Sequence, residues 1–323
     1  LAPLLQDVYQ ADGAHSNFGK YTLFSVYGTN ANGHMSALAL GLMFGNEDKA
    51  NWSKFWSFVK RNHPSVDAAH KTILTDQDKG SIAAVKDVFT LAAQFMCAFH
   101  RRQNILTTCG GGKGNTPHTA LWMFNQLSAC NSMKELNLKK QTHYKELHPT
   151  DLHYLTKLPD ECQYAAARCA MGSNICMFGK SASSGVESMN NANHIARQKT
   201  AVDVLNGILL LLKLEAERFE RYKEVAWKRE ETLTDKGLKL MEECFDDVRV
   251  RDYKMSITTI ESGHRAIVKR TTINANTYTV VIPSTGKYES RFGTCDCGKP
   301  AKDGVPCKHM VAVVKSSLIE GLS

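Results

Sequence analysis

The chain has 323 residues, 43% of them hydrophobic and 22% charged, a globular composition that excludes a wholly disordered, collagenous or low-complexity protein. Its net charge of +8 permits a polyanionic partner without requiring one. The most apolar run, Leu205 to Leu214, is ten residues long and already holds Asn206 and Lys213. A spanning helix needs about twenty apolar residues, so no membrane segment is predicted. Leu1-Ala2-Pro3 does not open a secretory signal, and the missing initiator Met points to natural sequence upstream. The ten cysteines are scattered through a long chain, which suits reduced thiols with a few chosen for metal better than a disulfide scaffold.

In chain order, Ala11-Asp12-Gly13-Ala14-His15 reads as a turn ahead of a hairpin whose strands are Tyr21 to Tyr27 and Met35 to Phe44, joined across Asn30-Ala31-Asn32-Gly33. Trp52, Phe55, Trp56 and Val59 fall at i, i+3, i+4 and i+7, the stripe of a helix lying on a sheet. A strand at Lys71 to Thr75, a helix at Gly80 to Phe89 and a strand at Ala92 to Ala98 follow. Residues 1–100 therefore predict an α/β domain with mixed strand directions. Residues 101–184 loosen into helices around the loop Gly110 to Gly114. From Cys97 to Lys145 the basic residues, among them Arg101, Arg102, Lys139 and Lys140, face Glu135 as the one acidic residue, a candidate phosphate-facing surface. Thr200 to Glu231 predicts a long amphipathic helix, within a stretch 185–250. In 251–323, short antiparallel strands are expected at Ile257 to Ile260, Arg265 to Thr272, Tyr278 to Ile282 and Tyr288 to Phe292.

A cysteine cluster follows at once. Cys295-Asp296-Cys297, nine residues, then Cys307-Lys308-His309 supply three thiolates and an imidazole, the set that closes a tetrahedral structural Zn²⁺ site. Gly293 and Gly298 suit a knuckle around the first pair, and Gly304 and Pro306 lead the second pair into a helix at His309 to Ile319. So small a module has little core, and its folding would depend on the metal. The pattern resembles the SWIM-type zinc finger, over about residues 275–320.

Three acidic residues stand at element ends: Asp12, Asp76 after Thr72-Ile73-Leu74-Thr75, and Glu187 in Val186-Glu187-Ser188-Met189-Asn190. Singly, each suits a turn, a helix cap or a first helical turn. Together they are the carboxylates a sheet-based nuclease uses to hold Mg²⁺ or Mn²⁺, hard cations that prefer oxygen ligands. Asp78 is a nearby substitute for Asp76, and Glu47 reads as surface.

The order of motifs, Asp12-Gly13-x-His15, Gly41 through Glu47 before a Trp-rich helix, Thr75-Asp76-x-x-Lys79-Gly80, Cys97-x-x-His100, Glu187-Ser188-x-Asn190 and the terminal finger, resembles the Mutator-like element (MULE) transposases. The resemblance implies an RNase H-like mixed sheet split by a helical insertion, then a long helix and a small β-hairpin zinc module. It implies an Asp-Asp-Glu triad of Asp12, Asp76 and Glu187, with 110 residues between the last two. It implies a DNA transposase that cleaves and transfers strands with Mg²⁺ or Mn²⁺, acting on element terminal repeats and target DNA in the nucleus. Cys97 and His100 match the family's C-x-x-H element and read either as support for the metal site or DNA, or as structural residues. Leu1 to Ala11 is too short for the N-terminal DNA-binding domain of many relatives. The alternatives are a domesticated DNA-binding transcription regulator without catalysis, and a finger used chiefly for protein contacts with the long helix pairing subunits in a homo-oligomer.

Overall fold

A computed structural model of the chain describes residues 5–15, 20–30, 33–77, 79–109, 117–172, 174–182, 201–228, 239, 242–244, 246, 248, 253–260, 263–270, 276–283 and 293–319. Its first sheet grows from apolar runs punctuated by turn residues: β1 (Val8–His15), β2 (Tyr21–Thr29), β3 (Met35–Phe44), β4 (Thr72–Thr75) and β5 (Ala93–Met96). The strand order is β3-β2-β1-β4-β5. β2 runs antiparallel to β1 and β3, whereas β4 is parallel to β1 and β5 to β4. The parallel connections are made by α1 (Lys49–Asn62) and α2 (Lys79–Val88), since a parallel strand cannot be reached by a tight turn. One expectation is corrected here: Asp12-Gly13 is no turn but lies within β1, opposite Ser25 and Phe24 of β2.

α1 starts because the Asp48 carboxylate accepts a hydrogen bond from the Asn51 amide at 2.9 Å, and its last turn carries Lys60 and Arg61, which suit the helix dipole. Its predicted stripe is buried: Trp52, Phe55, Trp56 and Val59 pack with Tyr9, Ala11, Phe24 and Val26 of the sheet. The Phe24 ring stands edge-on to Trp52 at 4.5 Å, and Trp56 edge-on to Phe89 at 5.2 Å. Burying each such side chain contributes on the order of 1.5–3 kcal/mol. Asp67 fixes the entry to β5, accepting from the amides of Thr90, Leu91 and Ala92 and pairing with Lys60 at 2.7 Å. Burial pushes its carboxyl up, but Lys60 and those three amides outweigh it and hold the group well below the usual carboxylate range.

The helical region comprises α3 (Ala98–Thr108), α4 (Pro117–Ala129), α5 (Met133–His143), α6 (Pro149–Thr156) and α7 (Ala165–Ala170), around a core that includes Ile105, Phe124, Leu127, Leu136, Leu155 and Tyr164. Arg168 of α7 is 4% exposed and fastens this region to the sheet. Its guanidinium donates to Thr72 Oγ1 at 3.1 Å, the Lys71 carbonyl at 3.0 Å and the Ala69 carbonyl at 3.2 Å. α8 (Ala201–Lys228) lays Val204 and Ile208 against Leu23, Leu40 and Leu42.

The C-terminal region is an antiparallel sheet in the order β6-β7-β8-β9: β6 (Tyr253–Ile260), β7 (Gly263–Arg270), β8 (Thr277–Pro283) and β9 (Thr294–Cys295). α9 (Lys299–Asp303) and α10 (Lys308–Ile319) follow. The strand expected at Tyr288 to Phe292 lies outside the described residues. α9 docks on the helical region: Lys302 Nζ donates to the Ala129 carbonyl at 3.0 Å and to Asn131 Oδ1 at 3.2 Å, and the Met177 and Gly179 amides donate to the carbonyls of Ala301 and Lys302. Gly298, just before α9, has φ +73°, and a Cβ there would lie 1.7 Å from the Asn131 carbonyl oxygen. No other residue fits so close an approach in that conformation. Among the described residues, no helix is long and apolar enough to cross a membrane.

Candidate functional site

The four predicted zinc ligands converge. The Sγ atoms of Cys295, Cys297 and Cys307 and a ring nitrogen of His309 all lie within 4.8 Å of one another. β8 positions the first of them, since Cys295 pairs with Val280, and the Gly298 amide closes the knuckle on the Cys295 carbonyl at 3.1 Å. Cys307 directly precedes α10, whose first turn carries His309. His309 Nδ1 is 3.6 Å from Cys295 Sγ and 3.8 Å from Cys307 Sγ. With Zn–S near 2.3 Å and Zn–N near 2.0–2.1 Å, the edge of a tetrahedron from sulfur to nitrogen is about 3.6 Å, so the cage has the size of the ion. The His309 ring is held flat on Tyr278, centroids 3.9 Å apart and 21° between planes, with Tyr253 edge-on at 6.1 Å. Hydrogen bonds from Cys295 and Cys297 hold the Cys307 thiol well below its ordinary range against the effect of burial, while the same close contacts, together with burial, push the Cys295 and Cys297 thiols up. Such a site takes Zn²⁺ as a closed structural centre.

The first two predicted carboxylates belong to the five-stranded sheet. Asp12 is on β1, and Asp76 directly follows β4. The parallel register pairs Val8 with Thr72, Tyr9 with Ile73 and Gln10 with Leu74. Asp12 lies two residues beyond Gln10 on β1, and Asp76 lies two residues beyond Leu74, just past the end of β4. Both are half-buried, so both keep a path to solvent. Ser25 Oγ donates to the Asp12 carbonyl at 3.1 Å, and the Thr75 hydroxyl donates to the Asp76 carbonyl at 3.1 Å. Glu187, the third member of the expected triad, and Asp78 lie outside the described residues.

Glu47, expected on the surface, is instead half-buried against β1. A Cβ on Gly13 would stand 2.5 Å from its carboxyl carbon, and Trp52 Nε1 donates to its Oε1 at 3.2 Å. The Glu47 carboxylate thus fills the place that a side chain at Gly13 would take, so a larger residue next to Asp12 would displace it. The Gly at 13 signals this in the sequence, but a glycine after an aspartate reads more readily as a turn. His15 is exposed, with Nδ1 3.1 Å from Thr22 Oγ1.

Cys97 is fully buried as the cap residue of α3, and its amide donates to the Thr75 carbonyl at 2.7 Å, next to Asp76. His100, one turn on, is half-buried with its ring edge-on to Phe99 at 5.6 Å. The expected basic surface is altered most. Arg101 is 1% exposed, its guanidinium 4.3 Å above the Tyr154 ring and donating to the Tyr154 carbonyl at 2.8 Å, so it is a core residue that faces no phosphate. Arg102 donates to Asn125 Oδ1 at 2.8 Å. Lys139 reaches the Gln126 carbonyl and Glu135, and Lys140 pairs with Asp160 above the Tyr164 ring. Spacing shows charge, but not which cations the fold spends on its own carbonyls and rings.

Compared with known proteins, residues 8–104 match the MULE transposase domain and residues 278–317 match the SWIM zinc finger. The first match spans the five-stranded sheet, Asp12, Asp76, Cys97 and His100, and the second holds all four zinc-ligand positions. The chain thus carries both modules that the motif order implied. No curated protein matches it.

Proposed function

We propose that this chain, with its MULE transposase domain and SWIM zinc finger, is a DNA transposase core that cuts DNA at an element end and joins the freed 3′ end to target DNA. The observation that supports this reading is the β1–β4 register, whose last pair, Gln10 with Leu74, stands two residues before Asp12 and Asp76 within the matched transposase domain. The mixed order β3-β2-β1-β4-β5 supports an RNase H-like reading of the sheet. Two partly exposed carboxylates on a rigid sheet suit Mg²⁺ or Mn²⁺, whose hard-cation chemistry asks for oxygen ligands. Bound divalent ions supply water activation and leaving-oxygen stabilisation. Asp12 and Asp76 hold them at a position set by the strands, and Glu187 is the third carboxylate of the triad. Glu47 and Trp52 brace β1 from the opposite side, through Gly13. The zinc module supplies a rigid, docked surface and no catalytic group, since its four ligands close the site. DNA binding belongs to the same proposal, with phosphate contacts drawn from basic residues other than Arg101.

The test is Mn²⁺-dependent nicking of labelled DNA carrying the element ends, with the zinc-loaded chain and its Asp76→Asn form. Cleavage lost in Asp76→Asn supports the reading. Cleavage equal in both would remove Asp76 from the chemistry. Salt-sensitive DNA binding with no cleavage by either form would favour a transposase-derived regulator.

A further inference from the structure

Asp76 lies just beyond the last ladder residue of β4, and α2 does not begin until Lys79. Its backbone therefore needs holds other than the sheet. On one side, Thr75 is fixed by β5: its carbonyl accepts from the Cys97 amide at 2.7 Å, and its hydroxyl accepts from Gln94 Nε2 at 3.0 Å. On the other side is Gln77. Its Oε1 accepts from Asn104 Nδ2 of α3 at 2.7 Å and from the Tyr154 hydroxyl of α6 at 3.3 Å. Tyr154 is itself locked by the buried Arg101, which covers its ring and bonds its carbonyl. A buried guanidinium is costly unless it is paired and hydrogen-bonded, and here its ring and carbonyl partner is the tyrosine that reaches the residue after Asp76.

We propose that Gln77 is a positioning residue, through which Asn104 and the Arg101–Tyr154 pair of the helical region set the Asp76 carboxylate relative to Asp12. The helical region is then not a passive insertion: movement of α6 against the sheet is transmitted first to Asp76. The Gln77 side-chain oxygen serves this purpose because it accepts both hydrogen bonds at one atom. The inference rests on the proposed role of Asp12 and Asp76 as ligands.

The test is Mn²⁺ binding to the zinc-saturated full chain, followed by electron paramagnetic resonance, with thermal unfolding in parallel. Asp12→Asn defines which bound Mn²⁺ belongs to the site. Gln77→Met and Tyr154→Phe are expected to raise the half-saturating Mn²⁺ concentration roughly tenfold, the usual scale for removing a partner behind a metal ligand, with the melting temperature unchanged. Gln77→Glu keeps an accepting oxygen and is expected to bind at least as tightly as the parent. If Gln77→Met melts early, Tyr154→Phe decides, since its ring keeps the Arg101 contact. Parent-like binding by Gln77→Met and Tyr154→Phe would overturn the positioning role and leave the ligands standing. Equal weakening in Gln77→Glu and Gln77→Met would also overturn it, by making the residue a spacer. A parent chain with no Asp12-dependent Mn²⁺ site would overturn both this inference and the transposase reading beneath it.

Discussion

The five-stranded sheet and the zinc module are held together by different physics. In the sheet and its helices, two tryptophans, three phenylalanines and the aliphatic faces of β1 and β2 are removed from water, and the order of the fold follows from that burial. In the finger, a small cluster of Ala266, Val268, Val280, Met310 and Val313 surrounds three thiols and an imidazole. A cluster this small leaves much of the ordering of α9, α10 and β9 to the ligand set. A chain can therefore keep one module and lose the other, and α9 is where the two meet.

The largest effect expected from this contrast is at Cys307. Cys307→Ser, or removal of zinc by a chelator, takes away a binding free energy on the order of 10 kcal/mol. Residues 293–319 are then expected to lose hydrogen-exchange protection while β1 to β5 keep theirs, with zinc content falling to zero. Loss of protection across both regions would mean that the finger is part of one cooperative unit. Trp56→Ala should do the reverse. It empties a fully buried site, and a loss of about 3–5 kcal/mol is expected, seen as a lower melting temperature with zinc stoichiometry intact.

Next comes Asp67. Its carboxyl is held below the ordinary range in the folded chain, so the stabilisation it gives is complete above the unfolded aspartate value near 4. It is lost as pH falls through the lower folded value. Asp67→Asn is expected to cost roughly 2–3 kcal/mol at neutral pH, and to make stability less steeply dependent on pH in acid; an unchanged acid-unfolding profile would contradict this. The smallest effect belongs to the junction. Gly298→Ala forces a side chain into the Asn131 carbonyl in a left-handed conformation, at a cost of about 1–3 kcal/mol. Proteolysis between the helical region and α9 should increase while bound zinc is retained.

The same contrast explains what could be read in the sequence. The zinc site was legible because its four ligands occupy fifteen consecutive positions, 295 to 309, and local spacing alone brings them together. The stripe of α1 was legible because a helix repeats its buried face every three or four residues. Asp12 reads as part of a turn because Asp-Gly is a turn signal, and nothing local shows that the Glu47 carboxylate, 34 positions from Gly13, takes the room of a side chain there. Arg101 reads as a surface residue for a similar reason. Its ring partner, Tyr154, lies 53 residues on, and no periodicity links them. Long-range polar contacts that close a core leave no mark in a window of sequence.

The most direct test of the two-carboxylate reading is the position of Mn²⁺ in crystals of the zinc-loaded chain, located by anomalous scattering above and below the manganese edge. The expected result is manganese between Asp12 on β1 and Asp76 just past β4, and zinc in the cage of Cys295, Cys297, Cys307 and His309. Zinc in that cage with no manganese near Asp12 and Asp76, at concentrations that saturate the chain, would contradict it.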